Sequence, residues 1–370
     1  MRRKFFAVSR HVAPIIFAGA ILVASFLSAA PPERVIPLPV KAPRLLGMSM
    51  DDDGFIWLGS THRMIYRYAP TTGAIEEIKL PYDSSTSQAL CVGDKVYLLG
   101  QSFPKLIIYD RARKKFHTAA YPSARPDVWY GTEPVEGRYL YLFDRGEAGV
   151  IKWDTASDTG RVIPYPYKTI LPSGGRFIAA DGGVWCSVWD YTGGQYVPIG
   201  IARLDVKTDQ FDGWYPFPAA DAEAKPFSNT DTTVFYPHSL KGQLVPFDFK
   251  ERRWCRRIAV PEFGKRFGFI GMANLHEGRW YFSLSTYNGT ATGCDGQPYH
   301  FCNALLEFDP RTGRFAFPAV EAKDAYYQVS YHLVAGGHLY ATGNNIREPD
   351  GTLNNARLGE AIFWQTRKRE

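Results

Sequence analysis

Leu46-Gly47-Met48-Ser49-Met50-Asp51-Asp52-Asp53-Gly54-Phe55-Ile56-Trp57-Leu58 and the run from Met64 to Pro81 read together as one four-stranded β-meander. The apolar run Leu46 to Met50 is a strand that ends in an Asp-Gly turn. Phe55-Ile56-Trp57-Leu58 is a second strand, made of residue types that suit a pleated, half-buried surface. Ile65-Tyr66-Arg67-Tyr68 is a third. Pro70-Thr71-Thr72-Gly73 is a turn, with glycine available where φ must be positive. Ala74 to Leu80 is a fourth strand, ended by Pro81.

The same meander recurs to the C-terminus. Aligned on the turn and the aromatic of the second strand, the anchors are Trp57, Tyr97, Tyr141, Trp185, Phe235, Tyr281 and Tyr340, spaced 40, 44, 44, 50, 46 and 59 residues apart. Aromatics make up 15% of the chain, so their presence at every anchor marks a repeat rather than composition. Third strands recur as Leu106 to Asp110, Val150 to Asp154, Ile201 to Asp205, Leu244 to Asp248 and Leu305 to Asp309. Their final Asp reads as a turn residue whose carboxylate accepts backbone N–H groups, not as a ligand array. Fourth strands end in proline, as in Tyr121-Pro122 and Tyr165-Pro166, which belongs at a sheet edge.

Repeated four-stranded units of this length predict an all-β fold, a seven-bladed β-propeller of four-stranded antiparallel blades spanning residues 32–366. After Tyr340 only one further strand remains, Ala361-Ile362-Phe363-Trp364. Arg34-Val35-Ile36-Pro37-Leu38-Pro39 closely repeats Arg161-Val162-Ile163-Pro164-Tyr165-Pro166. The N-terminal strand is therefore expected to complete the last blade and close the ring. A basic tail, 367–370, follows.

The succession D-G-x-I-W, I-x-R-Y, T-T-G and a strand ending in L-P, read here at Asp53 to Trp57, Ile65 to Tyr68, Thr71 to Gly73 and Leu80-Pro81, resembles the blades of virginiamycin B lyase-like propellers. It also resembles the sensor propellers of some two-component regulators. The resemblance covers about residues 33–366 and is specific to the blade, not to an activity. Lyase-type blades continue the second strand as W-F-T-E. Here it continues Leu58-Gly59-Ser60, Leu98-Leu99-Gly100 and Cys186-Ser187-Val188, so the recurrent Glu is missing.

Met1 to His11 is basic and Val12 to Ala30 is apolar apart from Ser25 and Ser28, so residues 1–31 read as a signal sequence or an N-terminal membrane anchor. Arg2-Arg3-Lys4-Phe5-Phe6 loosely resembles a twin-arginine export signal. Residues 12–30 are long enough to tether the chain to a bilayer, and the expected location is periplasmic or secreted. Among five cysteines, Cys294 and Cys302 flank a Gly-rich polar loop, and a disulfide between them is expected after export. Cys91 and Cys186 fall in strands and read as small buried hydrophobes. The net charge of +6 is concentrated in the leader and tail. Lys250 to Arg257 reads as a solvated turn and strand edge, with phosphate binding as the alternative. No nucleic-acid-binding motif is present, so no nucleic-acid partner is expected.

Strand order divides the loops between two faces. Turns joining first to second and third to fourth strands are tight, as in Asp53-Gly54 and Thr312-Gly313. Second-to-third loops and the connections between blades are longer, as in 190–198, 286–301 and 343–359, and loops on a rigid scaffold carry function. The binding-face candidates there are His62, Arg63, Arg145, Asp190, His238, Tyr287 and Asn344, joined by Trp129 and Tyr130 where a blade begins. Asp144 falls on the same face. No cofactor is required by any motif; a divalent metal on His238 with Asp190 is the alternative. The first reading is a scaffold for an extracytoplasmic protein, a small molecule or a carbohydrate. The second is a metal-assisted lyase- or hydrolase-like enzyme with its site at the channel mouth.

Overall fold

The computed structural model describes residues 34–36, 38, 45–60, 63–101, 103–132, 134–144, 146, 149–166, 170–178, 182–190, 197–218, 233–238, 243–260, 269–276, 278–285, 291–292, 298–299, 304–320, 327–345 and 361–365. Strands there assemble into antiparallel sheets in sequence order. Sheet 1 is Leu45–Met50, Ile56–Ser60, Met64–Ala69 and Ala74–Lys79. Sheet 2 is Ser85–Val92, Lys95–Gln101, Lys105–Asp110 and Lys115–Ala120. Sheet 3 is Val128–Gly131, Tyr139–Asp144, Gly149–Asp154 and Thr159–Pro164. Sheet 4 is Ile170–Ile178, Gly183–Asp190, Val197–Asp205 and Gln210–Pro216.

Sheet 5 departs from the pattern. Thr233–His238 pairs with Gln243–Asp248, whose other edge takes two short pieces, Arg253–Trp254 and Ile258–Ala259. Between the pieces the Cys255 N–H donates to the Pro246 carbonyl at 2.8 Å. No inner first strand of this sheet lies among the described residues. Sheet 6 is Phe269–His276, Arg279–Ser285, Ala304–Asp309 and Arg314–Val320. A ribbon of Ala291–Thr292 with Pro298–Tyr299 is inserted between its second and third strands, where the sequence suggests only a polar loop. Sheet 7 is Tyr327–Ala335, His338–Asn345 and Ala361–Gln365, flanked by Arg34–Ile36 from the other end of the chain. Arg34 pairs with Gln365 and Ile36 with Phe363.

The apolar cores lie between sheets rather than within them. Leu45, Leu58 and Tyr66 of sheet 1 share a cluster with Tyr340 and Ile36 of sheet 7. Trp57 and Ile65 meet Leu98 and Ile107 of sheet 2, and Tyr97 and Leu99 meet Leu140 and Trp153 of sheet 3. Tyr141 and Phe143 meet Val184 and Val188 of sheet 4. Trp185 meets Phe247 of sheet 5 and belongs to one cluster with Trp280 of sheet 6. A fully buried side chain of this size contributes about 1.5–3 kcal/mol, so large aromatics at each interface hold neighbours together. Of the seven anchors, all but Phe235 have described side chains, and each is buried. Fourth strands alternate exposed with half-buried positions, as edge strands do.

The recurring Asp residues are turn caps, as the sequence indicates. Asp205 Oδ1 accepts the N–H groups of Lys207 and Thr208 at 2.9 and 3.0 Å. Asp248 Oδ1 does the same for Lys250 and Glu251, and Asp309 Oδ1 for Arg311. Cys91, Cys186 and Cys255 are buried thiols. The expected Cys294–Cys302 pair and the leader, residues 1–31, lie outside the described residues. Among the described residues no helix is long and apolar enough to cross a membrane.

Candidate functional site

On the long-loop face the described side chains converge at one corner, where sheet 3 begins. Asp144 ends the second strand of that sheet and is 0% exposed. Its Oδ1 accepts the N–H groups of Asp127 and Gly146 at 2.9 and 3.0 Å, so one carboxylate ties the incoming connection to the outgoing loop. Gly146 is required by this packing, because a Cβ there would stand 1.8 Å from the Arg125 carbonyl oxygen. Asp144 Oδ2 is buried with no hydrogen-bond partner among the described residues, and so is the Tyr121 hydroxyl. Burial, with the Asp144 charge nearby, pushes the Tyr121 pKa far up. The sequence suggests a solvated loop position for Asp144; the structure gives a buried carboxylate with an oxygen to spare.

Trp129 and Tyr130 follow directly, half-buried, with ring centroids 6.4 Å apart. Trp129 donates its indole N–H to Asp127, and its carbonyl accepts the Ser87 hydroxyl at 2.5 Å. Tyr130 packs against both the cluster of sheets 7 and 1 and that of sheets 3 and 4, which places it where separate interfaces meet. Gln88 locks the next residue, accepting the Gly131 N–H at 2.9 Å and donating to its carbonyl at 3.4 Å. The aromatic pair therefore rides on a fixed backbone.

Arg63 lies on the same face. Its φ of 56° is left-handed, uncommon for a non-glycine residue. Its exposed side chain donates to the Tyr82 carbonyl at 3.2 Å and stands 3.7 Å from Asp83. Asp190, His238 and Asn344 are placed by backbone register alone. Each lies at the same end of its second strand, paired respectively with Val197, Gln243 and Ala361. His62, Arg145, Tyr287, Cys294 and Cys302 fall outside the described residues.

The tight-turn face carries chemistry that the sequence reading assigns to turns alone. Third-to-fourth turns put a left-handed residue at a fixed place: Lys114, Asp158, Asp209 and Arg252, with φ between 52° and 54°. Asp158 reaches back to sheet 2, accepting Lys95 Nζ at 2.7 Å and the Tyr97 hydroxyl at 2.8 Å, with His117 Nε2 at 3.3 Å. Burial pushes its carboxyl up, but Lys95 and Tyr97 outweigh that and hold its pKa below the ordinary aspartate value. Asp209 reaches back to sheet 3 in the same way, accepting Lys152 Nζ at 2.9 Å and also pairing with Arg161. Arg252 repeats the contact with opposite sign, 3.4 Å from Asp212 of sheet 4. Between sheets 1 and 2, Arg111 donates to Asp51 at 2.6 Å and Asp53 at 2.9 Å. Asp51 also accepts the Trp57 indole at 2.7 Å. Beside them a cleft of about 200 Å³ opens, lined by Trp57, Arg67, Glu76, Tyr109 and Lys114 among others.

Consecutive antiparallel sheets with their cores packed between neighbours define a β-propeller. The comparisons place the chain with particular examples of that fold. It is similar to virginiamycin B lyase from Staphylococcus aureus, in a catalytically inactive His-to-Ala form with quinupristin, at 12% identity and a TM-score of 0.65, covering 90% of this chain and 98% of that one. A selenomethionine-substituted virginiamycin B lyase from the same organism matches at 12% identity and a TM-score of 0.63, covering 89% and 98%. A streptogramin B lyase structure matches at 13% and 0.62, covering 90% and 96%. No model of a known protein family matches the chain. No curated protein matches it in sequence. At such identity the likeness establishes the fold and leaves the activity to be argued from the site.

Proposed function

We propose that this chain is an exported seven-bladed β-propeller, closed by Arg34–Ile36 as the outer strand of its last blade, that binds an extracytoplasmic ligand through its long-loop face. The observation that carries the binding reading is the Trp129–Tyr130 pair, half-buried and held at the start of sheet 3 by a buried carboxylate and by Ser87 and Gln88. A fixed aromatic pair of this kind suits the flat face of a sugar ring or an apolar side chain of a partner protein. The basic, apolar leader supports export, and a Cys294–Cys302 bridge would then order the insertion of sheet 6 on the same face.

The test compares the two faces. Trp129→Ala is expected to abolish retention on a carbohydrate array or in a pull-down from extracytoplasmic extract, whereas Arg113→Ala, an exposed change on the tight-turn face, leaves it intact. Equal effects would overturn the reading. Deleting residues 33–39 tests the closure: the exposed third strand of sheet 7 should cause aggregation or a large loss of thermal stability, and an unchanged transition would place the closure elsewhere. A metal-assisted lyase or hydrolase is the second reading. The register that sets Asp190, His238 and Asn344 at one strand end favours it, as does the likeness to lyases. Metal analysis of the purified protein, with turnover assayed under added Mg²⁺, Mn²⁺ and Ca²⁺, decides between the two.

A further inference from the structure

The repeat supplies its own internal comparison on the tight-turn face. Strand register makes Trp57, Arg67 and Glu76 of sheet 1 equivalent to Tyr97, Ile108 and His117 of sheet 2, and to Tyr141, Lys152 and Arg161 of sheet 3. Opposite each set stands the left-handed turn residue of the next sheet. For sheets 2 and 3 that residue is an aspartate, and its carboxylate fills the notch between sheets. The carboxylates there are mostly desolvated, with Asp158 21% and Asp209 9% exposed.

For sheet 1 the corresponding residue is Lys114, and the notch is the open cleft of about 200 Å³. Of that set sheet 1 keeps one cation, Arg67, with Glu76 where sheet 3 has Arg161. Arg67 is stacked on Phe55 at 3.5 Å, and among the described residues its only acceptor is Glu76, at a long 3.4 Å. Lys114 Nζ has no acceptor among the described residues. In the notch between sheets 4 and 5 the same polarity, Asp212 opposite Arg252, is closed by a direct ion pair, helped by Arg203. Glu76 and Lys114 make no such pair.

We propose that the notch between sheets 1 and 2 is a carboxylate-binding site, in which an organic acid takes the place that Asp158 and Asp209 fill in the next two notches. Arg67 presents unpaired guanidinium N–H groups to one carboxylate oxygen and Lys114 supplies the second cation, a charge-assisted pairing of the kind the neighbouring notches already use. Trp57 and Tyr109 wall the cleft, so the acid's carbon skeleton meets aromatic surface; Asp53, Asp94 and Arg111 line its rim, with Arg111 offsetting Asp53 through their direct bond. The site lies on the face opposite the Trp129–Tyr130 corner, so its failure would leave the binding reading above untouched, and the converse holds.

Isothermal titration of the full chain with N-acetylglutamate, and with an acetylated Gly-Glu-Gly amide, tests the proposal and separates a free acid from an acidic peptide side chain. Saturable binding of at least one is expected, with their fully amidated counterparts, N-acetylglutamine amide and an acetylated Gly-Gln-Gly amide, failing to bind. Arg67→Gln should weaken binding by about tenfold to a hundredfold, the range for a hydrogen bond to a charged group. Glu76→Arg with Lys114→Asp transplants the Arg161–Asp209 arrangement; it should raise the melting temperature and abolish binding, because the chain's own carboxylate then fills the notch. Should that double variant fail to fold, the exposed Lys114→Ala change serves instead and should weaken binding severalfold. Absence of saturable binding by either acid overturns the proposal, as does a folded double variant that still binds. Equal binding by the fully amidated counterparts, or unchanged affinity in both Arg67→Gln and Lys114→Ala, also overturns it.

Discussion

Asp158, partly buried, and Asp144, fully buried, are turn carboxylates on opposite faces of the same sheet, and their surroundings differ in kind. Asp158 meets an ammonium, a phenol and an imidazole drawn from sheet 2. Asp144 receives two backbone N–H groups from its own sheet's connections, and its second oxygen has no partner among the described residues. A buried carboxylate with cationic partners joins two sheets and is costly to disturb. One bonded only to backbone N–H groups shapes its own sheet's connections and joins nothing across an interface. The tight-turn face of sheets 2 to 4 is thus inter-sheet fastening, whereas the long-loop corner is held by carboxylate-to-backbone bonds within one sheet.

The largest expected effect comes from removing the aromatic beneath the fastening. Trp57 is 1% exposed, touches Tyr109 across the interface and donates to Asp51. Trp57→Ala should cost about 3–5 kcal/mol in chemical denaturation. A loss below about 1 kcal/mol would mean that the side chain faces outward and the strand register is shifted by one.

Next comes the direct contrast between carboxylates. Asp209→Ala strands Lys152, which is only 15% exposed, and should cost about 2–3 kcal/mol, less than a fully buried pair because Arg161 is open to water. Asp144→Asn keeps Oδ1 as the acceptor for both backbone N–H groups and removes a buried charge, so the change should stay within about 1 kcal/mol. Similar losses from both would erase the distinction between the faces.

Acid sharpens it further. Asp158, Asp205 and Asp309 all have folded-state pKa values below the ordinary 3.8, and the Arg138 guanidinium holds Asp154 down to about 2. A depressed folded pKa means that the unfolded chain binds more protons in that window. The contribution is therefore present above pH 3.8 and is lost as pH falls towards about 2. Asp154 is about as exposed as Asp158, but its partner Arg138 is half exposed, so solvent screens that pair and Asp158, held by three partners, is the position to test. Asp158→Asn should flatten the fall of the melting temperature across that window, and an unchanged slope would assign the acid response to other groups.

Much of the fold is legible in the sequence because period-2 strands, Asp-headed turns and one aromatic per repeat are local signals, and they agree with one another from Trp57 to Tyr340. The fastenings are hidden because they join residues about a repeat apart that look ordinary where they stand. Asp209 reads as any turn aspartate, and only the structure brings it to Lys152 and Arg161. Lys250 to Arg257 reads as a solvated stretch, yet Arg252 meets Asp212 and Arg257 donates to the Pro218 carbonyl at 3.1 Å. Asp144 is hidden for the opposite reason: its neighbours Arg145 and Glu147 make the segment look polar, and burial is set by the approach of the 121–127 connection. The edge of sheet 5 is split opposite Pro246, which accepts the Cys255 N–H but has no N–H to return.

The smallest stability effect carries the sharpest information about the long-loop face. The other non-glycine residues with positive φ among those described sit in tight turns whose bulge geometry calls for that conformation; Arg63 alone adopts it beside a second-to-third loop. For a residue with a Cβ, the left-handed region costs roughly 1–2 kcal/mol. Glycine escapes that cost but loses about 0.5–1 kcal/mol more conformational entropy on folding. The ion pair with Asp83, itself 91% exposed, adds little, and the Leu80 N–H bond to the Arg63 carbonyl survives any side-chain change. Arg63→Gly should therefore leave stability within about 0.5–1 kcal/mol of the parent, on balance unchanged or slightly raised. If the face binds a ligand, the same change should still weaken retention, because it removes a half-exposed guanidinium from that face. Paired denaturation and binding measurements on the one variant separate the outcomes: lost binding at constant stability places Arg63 in the recognition surface, whereas lost stability with binding intact makes it one more fastening.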